Sequence, residues 1–243
     1  AESVKNSLKV SRTKLENDFF VVKLTSKGTI RSVYDKSAGR EAIAEGAEAN
    51  DLQLFDDRPH AHDAWDTDFN IDENRWSMDD VVSMDVVETG PVRATVRVIK
   101  QTEDSTLTQD ISVWRSIPRI DFATTVDWHE KRRLLKVAFP VDVLSRTATY
   151  EVQFGAQERP THHSDSYARA RFEVAGHRWI DISEGDYGVS LLNDCKYGFD
   201  TYQNTMRISL LRSTVIPDPK ADEGHHEFTY SMYPHAGNWR QAE

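Results

Sequence analysis

Apolar and polar side chains alternate with a period of two through most of this chain. Val92, Ala94, Val96 and Val98 face one way, with Arg93, Thr95 and Arg97 opposite. Leu107, Ile111 and Val113 repeat the pattern, as do Ile120, Phe122, Thr124, Val126 and Trp128. Leu135, Val137, Phe139 and Val141 continue it before Tyr150 to Phe154. Turn-forming clusters separate these runs: Thr89-Gly90-Pro91, Glu103-Asp104-Ser105 and Ile117-Pro118. Alternation punctuated in this way predicts antiparallel strands with one buried face. Upstream, Leu15–Leu24 and Thr29–Tyr34 flank Ser26-Lys27-Gly28 and predict a hairpin; Leu52–Phe55 predicts another strand. Downstream, Gly188–Leu192, Met206–Leu211 and Glu227–Tyr233 predict three more. Residues 40–50 are rich in Ala and Glu but too short to predict a helix, and no stretch sustains the 3.6-residue helical period. The expected fold is all-β, a large antiparallel β-sandwich forming one domain over residues 1–243, with residues 1–12 as linker.

Between the strands lie four irregular stretches, at 56–80, 155–170, 193–204 and 213–226. The first holds Trp65, Phe69, Trp76 and many carboxylates. A structureless span of that length inside a compact domain usually carries function. Strands fix loop ends while loops carry specificity, so these four are expected to gather at one end of the sandwich.

Composition narrows the partners. Forty acidic and thirty basic residues give a formal charge of −10, which argues against nucleic acid. Cys195 is the single cysteine, so no internal disulfide forms and a reducing, cytoplasmic setting fits. No apolar run approaches the roughly 20 residues that span a bilayer, and the opening residues do not read as a signal peptide.

Candidate chemistry is sparse. His60-Ala61-His62-Asp63 offers imidazole and carboxylate at tight spacing, but a zinc site needs three or four ligands and a supporting shell, and surface histidines are the commoner use. Asp66-Thr67-Asp68-Phe69-Asn70-Ile71-Asp72 spaces oxygens as a calcium loop does, yet Ile71 replaces the turn glycine and Ser77 the closing glutamate. Seven acids between Asp63 and Asp80 do not amount to the fixed carboxyl pair of a glycosidase. Trp114 and Trp128 sit in alternating strands and are expected in the core, where burying 150–250 Å² contributes about 4–6 kcal/mol each. Trp65, between Asp63 and Asp66, combines a flat apolar face with hydroxyl acceptors, as polyol recognition requires. Phosphate-binding glycine loops and nucleophile elbows are absent from the sequence.

Several motifs, in order along nearly the whole chain, carry a resemblance. They are Leu15-Glu16-Asn17, Tyr34-Asp35-Lys36-Ser37-Ala38-Gly39-Arg40-Glu41, Leu52-Gln53-Leu54-Phe55-Asp56-Asp57-Arg58-Pro59 and Asp63-Ala64-Trp65-Asp66. Further on come Phe154-Gly155-Ala156-Gln157-Glu158-Arg159-Pro160-Thr161-His162, Gly188 to Gly198, Ser209-Leu210-Leu211-Arg212-Ser213, Pro217-Asp218-Pro219 and His226-Glu227-Phe228-Thr229-Tyr230. Together they resemble the C-terminal β region of glycoside hydrolase family 38 α-mannosidases, of the bacterial and cytosolic branch. His62 departs from the bulky aromatic expected before Asp63.

That resemblance implies a sandwich similar to galactose mutarotase, within a parent that hydrolyses terminal α-mannosidic bonds with retention. It also implies that the zinc, the nucleophile and the acid/base belong to an N-terminal catalytic barrel. A retaining mechanism needs nucleophile and acid flanking one bond, so this chain alone is expected to be inactive, with no catalytic or metal-binding residue of its own. The implied partners are that barrel and mannose-containing glycans, with room for a homo-oligomer and none for nucleic acid or membrane. Asp63, Trp65, Asp66, Asn193, Asp194 and Arg212 are the candidate substrate-binding residues. Two rival readings remain: a free-standing carbohydrate-binding module and a mutarotase-like aldose epimerase.

Overall fold

A computed structural model describes residues 7–242. Strands β1 (Lys9–Ser11), β2 (Lys14–Glu16), β3 (Phe20–Leu24), β4 (Ile30–Asp35) and β5 (Arg40–Glu41) form one antiparallel sheet in chain order. Next come β6 (Asp51–Asp56), a 3-10 turn at Ile71–Asn74, β7 (Arg75–Ser77), β8 (Val81–Thr89), β9 (Arg93–Gln101) and β10 (Thr106–Trp114). They are followed by β11 (Ile120–Trp128), β12 (Arg133–Pro140), β13 (Thr147–Val152), β14 (Gly155–Pro160) and the short helix α1 (Ser166–Arg169). The chain closes with β15 (Val174–Ala175), β16 (Trp179–Glu184), β17 (Tyr187–Asn193), β18 (Gly198–Tyr202), β19 (Thr205–Arg212) and β20 (Gly224–Ala236). A nine-stranded sheet runs β14-β13-β16-β17-β20-β11-β10-β9-β8, and a six-stranded sheet runs β15-β18-β19-β12-β6-β7.

The fold is therefore all-β and antiparallel, as the alternation requires. The nine-stranded sheet packs its apolar face against both smaller sheets. Phe122 on β11 meets Phe139 on β12 edge-on at 5.6 Å, and Tyr150 on β13 meets Phe199 on β18 at 6.2 Å. Leu15, Val22 and Val33 of the five-stranded sheet join the same continuous core. Trp128 is fully buried there, its indole N–H donating to Ser213. Trp114 is partly exposed, donates to Asp121 at 2.6 Å and lies under the Arg93 guanidinium. One polar knot crosses the core: Gln109 donates to Tyr230 and Thr124, Tyr230 to Asn50, and Asn50 back to Gln109, at 2.7–3.0 Å. Each member is satisfied, so burial carries no orphaned-dipole penalty.

Some boundaries differ from expectation. Lys9–Ser11, inside the expected linker, pairs with β2, while residues 1–6 of that linker lie outside the described residues. The run from Leu15 to Leu24 is two strands, because Asn17 Oδ1 accepts the N–H groups of Phe19 and Phe20 and turns the chain. Val81–Thr89 adds an edge strand whose outward valines hid its alternation. Gly155–Pro160, expected to be irregular, is an edge strand on β13, and Gly198–Tyr202, expected in a loop, pairs with β19. Edge strands tolerate polar and glycine residues because one side faces solvent. Gly28 holds the predicted hairpin turn at φ +74°, where a Cβ would lie 2.6 Å from Val98.

Candidate functional site

The loop after β6 is held to the end of β19 by a fork. Arg212 Nε and Nη2 donate to the Asp57 carboxylate at 2.6 and 3.2 Å, and Nη2 also meets the Asp66 carbonyl. The Asp57 side chain is only 1% exposed, so its charge depends on that guanidinium. Asp63 fastens the same loop further on, accepting from the N–H groups of Val215 and Ile216 at 2.7 and 2.9 Å and from Arg132 at 3.1 Å. The Val215 N–H, helped by Ile216 and Arg132, holds its carboxyl below the usual range against the opposing effect of burial.

Between these anchors His62 adopts φ +55°, and its carbonyl accepts from the N–H groups of both Trp65 and Asp66. The resulting turn pushes Trp65 outward; it is 72% exposed. The Asp66 side chain is exposed as well.

Asn193 and Asp194 shape the neighbouring loop. Asn193 Oδ1 accepts from the N–H groups of Cys195 and Lys196 and its Nδ2 donates to His177 O, while Asp194 accepts from Thr229 N at 2.9 Å. Arg212, Thr67, Asp222 and residues 195–197 then line a groove of about 350 Å³. The four irregular stretches do meet: Asp63 reaches Val215, Phe69 packs on His163, and His163 stacks on Tyr202. Four candidates (Asp63, Asn193, Asp194 and Arg212) thus use their polar atoms to hold loop backbone, and two (Trp65 and Asp66) present free faces.

A second feature was not anticipated. On the outward face of the six-stranded sheet, Lys136 is fully buried and contacts Glu173 and Asp200, the latter at 2.8 Å. Arg207 donates to Asp200 at 2.7 Å and grips Asp72 with both terminal nitrogens at 2.6 and 3.0 Å. Burial opposes ionisation of Asp72, but the bonds and charge of Arg207, aided by Arg75 and Lys136, prevail and hold it at about 2. Burial pushes the Lys136 ammonium down, against the pull of Asp200. The 3-10 turn roofs this network, leaving a cleft of about 580 Å³. Lys136 between Leu135 and Val137 was readable as an outward residue; that a loop covers it was not.

The histidine and calcium-like patterns do not assemble a metal site. Asp63 is committed as described, Asp68 accepts from His60 N at 3.0 Å, and Asp72 serves Arg207 and Arg75. Among the described residues no group of three His, Cys, Asp or Glu side chains converges for an ion. Asp181, His235 and Ser190 meet in the nine-stranded sheet, but Asp181 and Ser190 both face His235 Nε2, at 2.7 and 3.2 Å. A nucleophile relay uses the two ring nitrogens for different partners, so this buried trio is a brace.

Comparison with known proteins decides the lineage. The model for the family described as Glycosyl hydrolases family 38 C-terminal domain matches residues 15–220. The chain belongs to that family. Alpha-mannosidase 2C1 of Mus musculus is 42% identical to this family 38 domain over 230 residues, covering 94% of the chain and 22% of the mouse protein. Alpha-mannosidase G of Dictyostelium discoideum is 41% identical over 235 residues, covering 94% of the chain and 21% of its own length. The chain therefore spans less than a quarter of the curated relatives it matches. A solved alpha-mannosidase from Enterococcus faecalis V583 superposes with a TM-score of 0.78 at 16% identity, over 96% of this chain and 30% of that one. A bacterial glucoamylase complexed with acarbose gives 0.52 at 9% identity, over 98% of this chain and 33% of that one. At such identities these two likenesses speak to the fold.

Proposed function

We propose that this chain is the C-terminal β region of a retaining α-mannosidase acting on terminal α-mannosidic bonds, and that alone it hydrolyses nothing. The observation that carries the reading is 42% identity, across 94% of the chain, to a protein named alpha-mannosidase. In this reading the nucleophile, the acid/base and a zinc ion belong to a catalytic barrel outside the chain. The β region packs against that barrel and presents the Trp65 turn at the rim of its substrate cleft. Trp65 offers its flat face to the sugar ring and Asp66 accepts sugar hydroxyls. Asp63, Asn193, Asp194 and Arg212 hold the loops that aim them. The partners are the barrel and mannose-containing glycans, in a cytoplasmic enzyme.

The test is made in the full-length enzyme with a 4-nitrophenyl α-mannoside. Trp65→Ala and Asp66→Asn each lower kcat/KM by about tenfold, the equivalent of 1.4 kcal/mol of transition-state binding. Unchanged kinetics in both variants remove these residues from the rim. A full-length enzyme without α-mannosidase turnover removes the parent activity as well.

A further inference from the structure

We propose that the cleft on the outward face of the six-stranded sheet binds a neutral oligosaccharide, at a place separate from the Trp65 turn. The inference stands on the cleft itself and does not depend on the activity of any parent enzyme.

The cleft holds about 580 Å³, within the roughly 300–1,000 Å³ of small-ligand sites. One wall is a run of rings. Phe172 meets Phe69 edge-on at 5.4 Å, Phe69 meets His163 at 6.3 Å, and His163 stacks on Tyr202 at 4.6 Å. Phe69 and Tyr202 remain 42% and 46% exposed, although partners hold them in place. Arg169 covers one face of Phe69 and His163 one face of Tyr202, and what stays exposed of each fixed ring matches the C–H face of a pyranose at little entropic cost. The floor is polar and equally fixed: Asp72, Arg207 and Asp200 lock one another. Gln53 lines the same cleft, and its amide Nε2 donates to the Asp51 carboxylate at 2.7 Å.

Charge selects the class. Glu48, Asp51, Asp72, Glu73, Glu173 and Asp200 line the cleft against Arg75 and Arg207, with Lys136 beneath. The excess of carboxylates repels phosphates and acidic sugars. Lys136, Arg207 and Arg75 already pair the floor carboxylates Glu173, Asp200 and Asp72, and Arg169 already covers the Phe69 ring at 4.3 Å, so cations of the chain itself occupy those positions. A neutral, hydroxyl-rich ligand satisfies both walls.

The experiment titrates the chain with α-mannotriose, maltotriose and trigalacturonate by calorimetry. At least one neutral trisaccharide binds with Kd below about 10 mM, and trigalacturonate does not. Tyr202→Ala and Phe69→Ala each weaken that binding about tenfold, whereas Leu144→Ala, at an exposed side chain outside the cleft, leaves it unchanged. Hydrogen exchange on the unmodified chain slows at residues 69–75 and 200–207 when the sugar is bound, a readout that does not rely on any variant folding. The proposal is overturned if neither neutral sugar binds, if trigalacturonate binds as tightly, if Leu144→Ala abolishes binding, or if protection appears elsewhere. None of these outcomes bears on α-mannoside hydrolysis, so the two readings fail separately.

Discussion

Replacing Arg212 with Ala separates bracing from substrate contact at the best-connected candidate residue. The Asp57 side chain is 1% exposed and Arg212 22%, so the substitution strands a buried carboxylate. Removing one partner of a buried pair costs about 3–5 kcal/mol. The lost bonds to the carbonyls of Ala64 and Asp66 add little, since the exposed loop can rehydrate them. A loss of about 3–4 kcal/mol follows, equivalent to roughly 6–16 °C in Tm for a chain of this size. Urea unfolding followed by circular dichroism measures it as a lower midpoint. Arg212→Lys keeps the charge but not the fork and falls between wild type and Arg212→Ala. The double variant Asp57→Leu with Arg212→Met recovers at least about 2 kcal/mol relative to the sum of the single changes, the coupling expected of paired groups. A loss under about 1 kcal/mol in Arg212→Ala, or additive single changes, would refute the clasp.

Other perturbations read other parts of the fold. Lys100 is buried, donates to Met78 O at 2.9 Å, and burial pushes its ammonium down to about 8 from the usual 10.5, against the pull of Asp51 and Asp79. Between those two values the unfolded chain binds more protons than the folded one, so stability rises with pH by about 3 kcal/mol. Urea midpoints from pH 8 to 10.5 show that rise in wild type and lack it in Lys100→Met; equal slopes contradict it. Gly28→Ala forces a positive φ and a 2.6 Å approach to Val98, so thermal unfolding should show a loss of about 1–3 kcal/mol. Trp65→Ala, by contrast, shifts stability by less than about 0.5 kcal/mol, because the ring is 72% exposed. A larger shift in calorimetry would mean that the ring packs.

The sandwich was legible because its strands obey one rule. The inward residues of β11, Ile120, Phe122, Val126 and Trp128, are all buried, as a period of two demands. Edge strands were harder to read. Val82 and Val87 on β8 are exposed, and the polar β14 pairs on one side only, so neither shows the contrast that marks a half-buried strand. The loop residues could be named by type but not by employment. Asp63 and Asp66 look alike in sequence, yet only Asp63 meets the N–H groups of Val215 and Ile216, about 150 positions away. The cleft was invisible for the same reason. Lys136 and Arg207 face outward in their strands as solvated residues do, and only the folding of residues 69–75 over them makes a site.

The most direct measurement follows 4-nitrophenol release from an α-mannoside by this chain alone and by the chain reunited with the catalytic barrel proposed for its parent. The account predicts no rate above the uncatalysed background for the chain and turnover for the reunited pair. Turnover by the chain alone would contradict it.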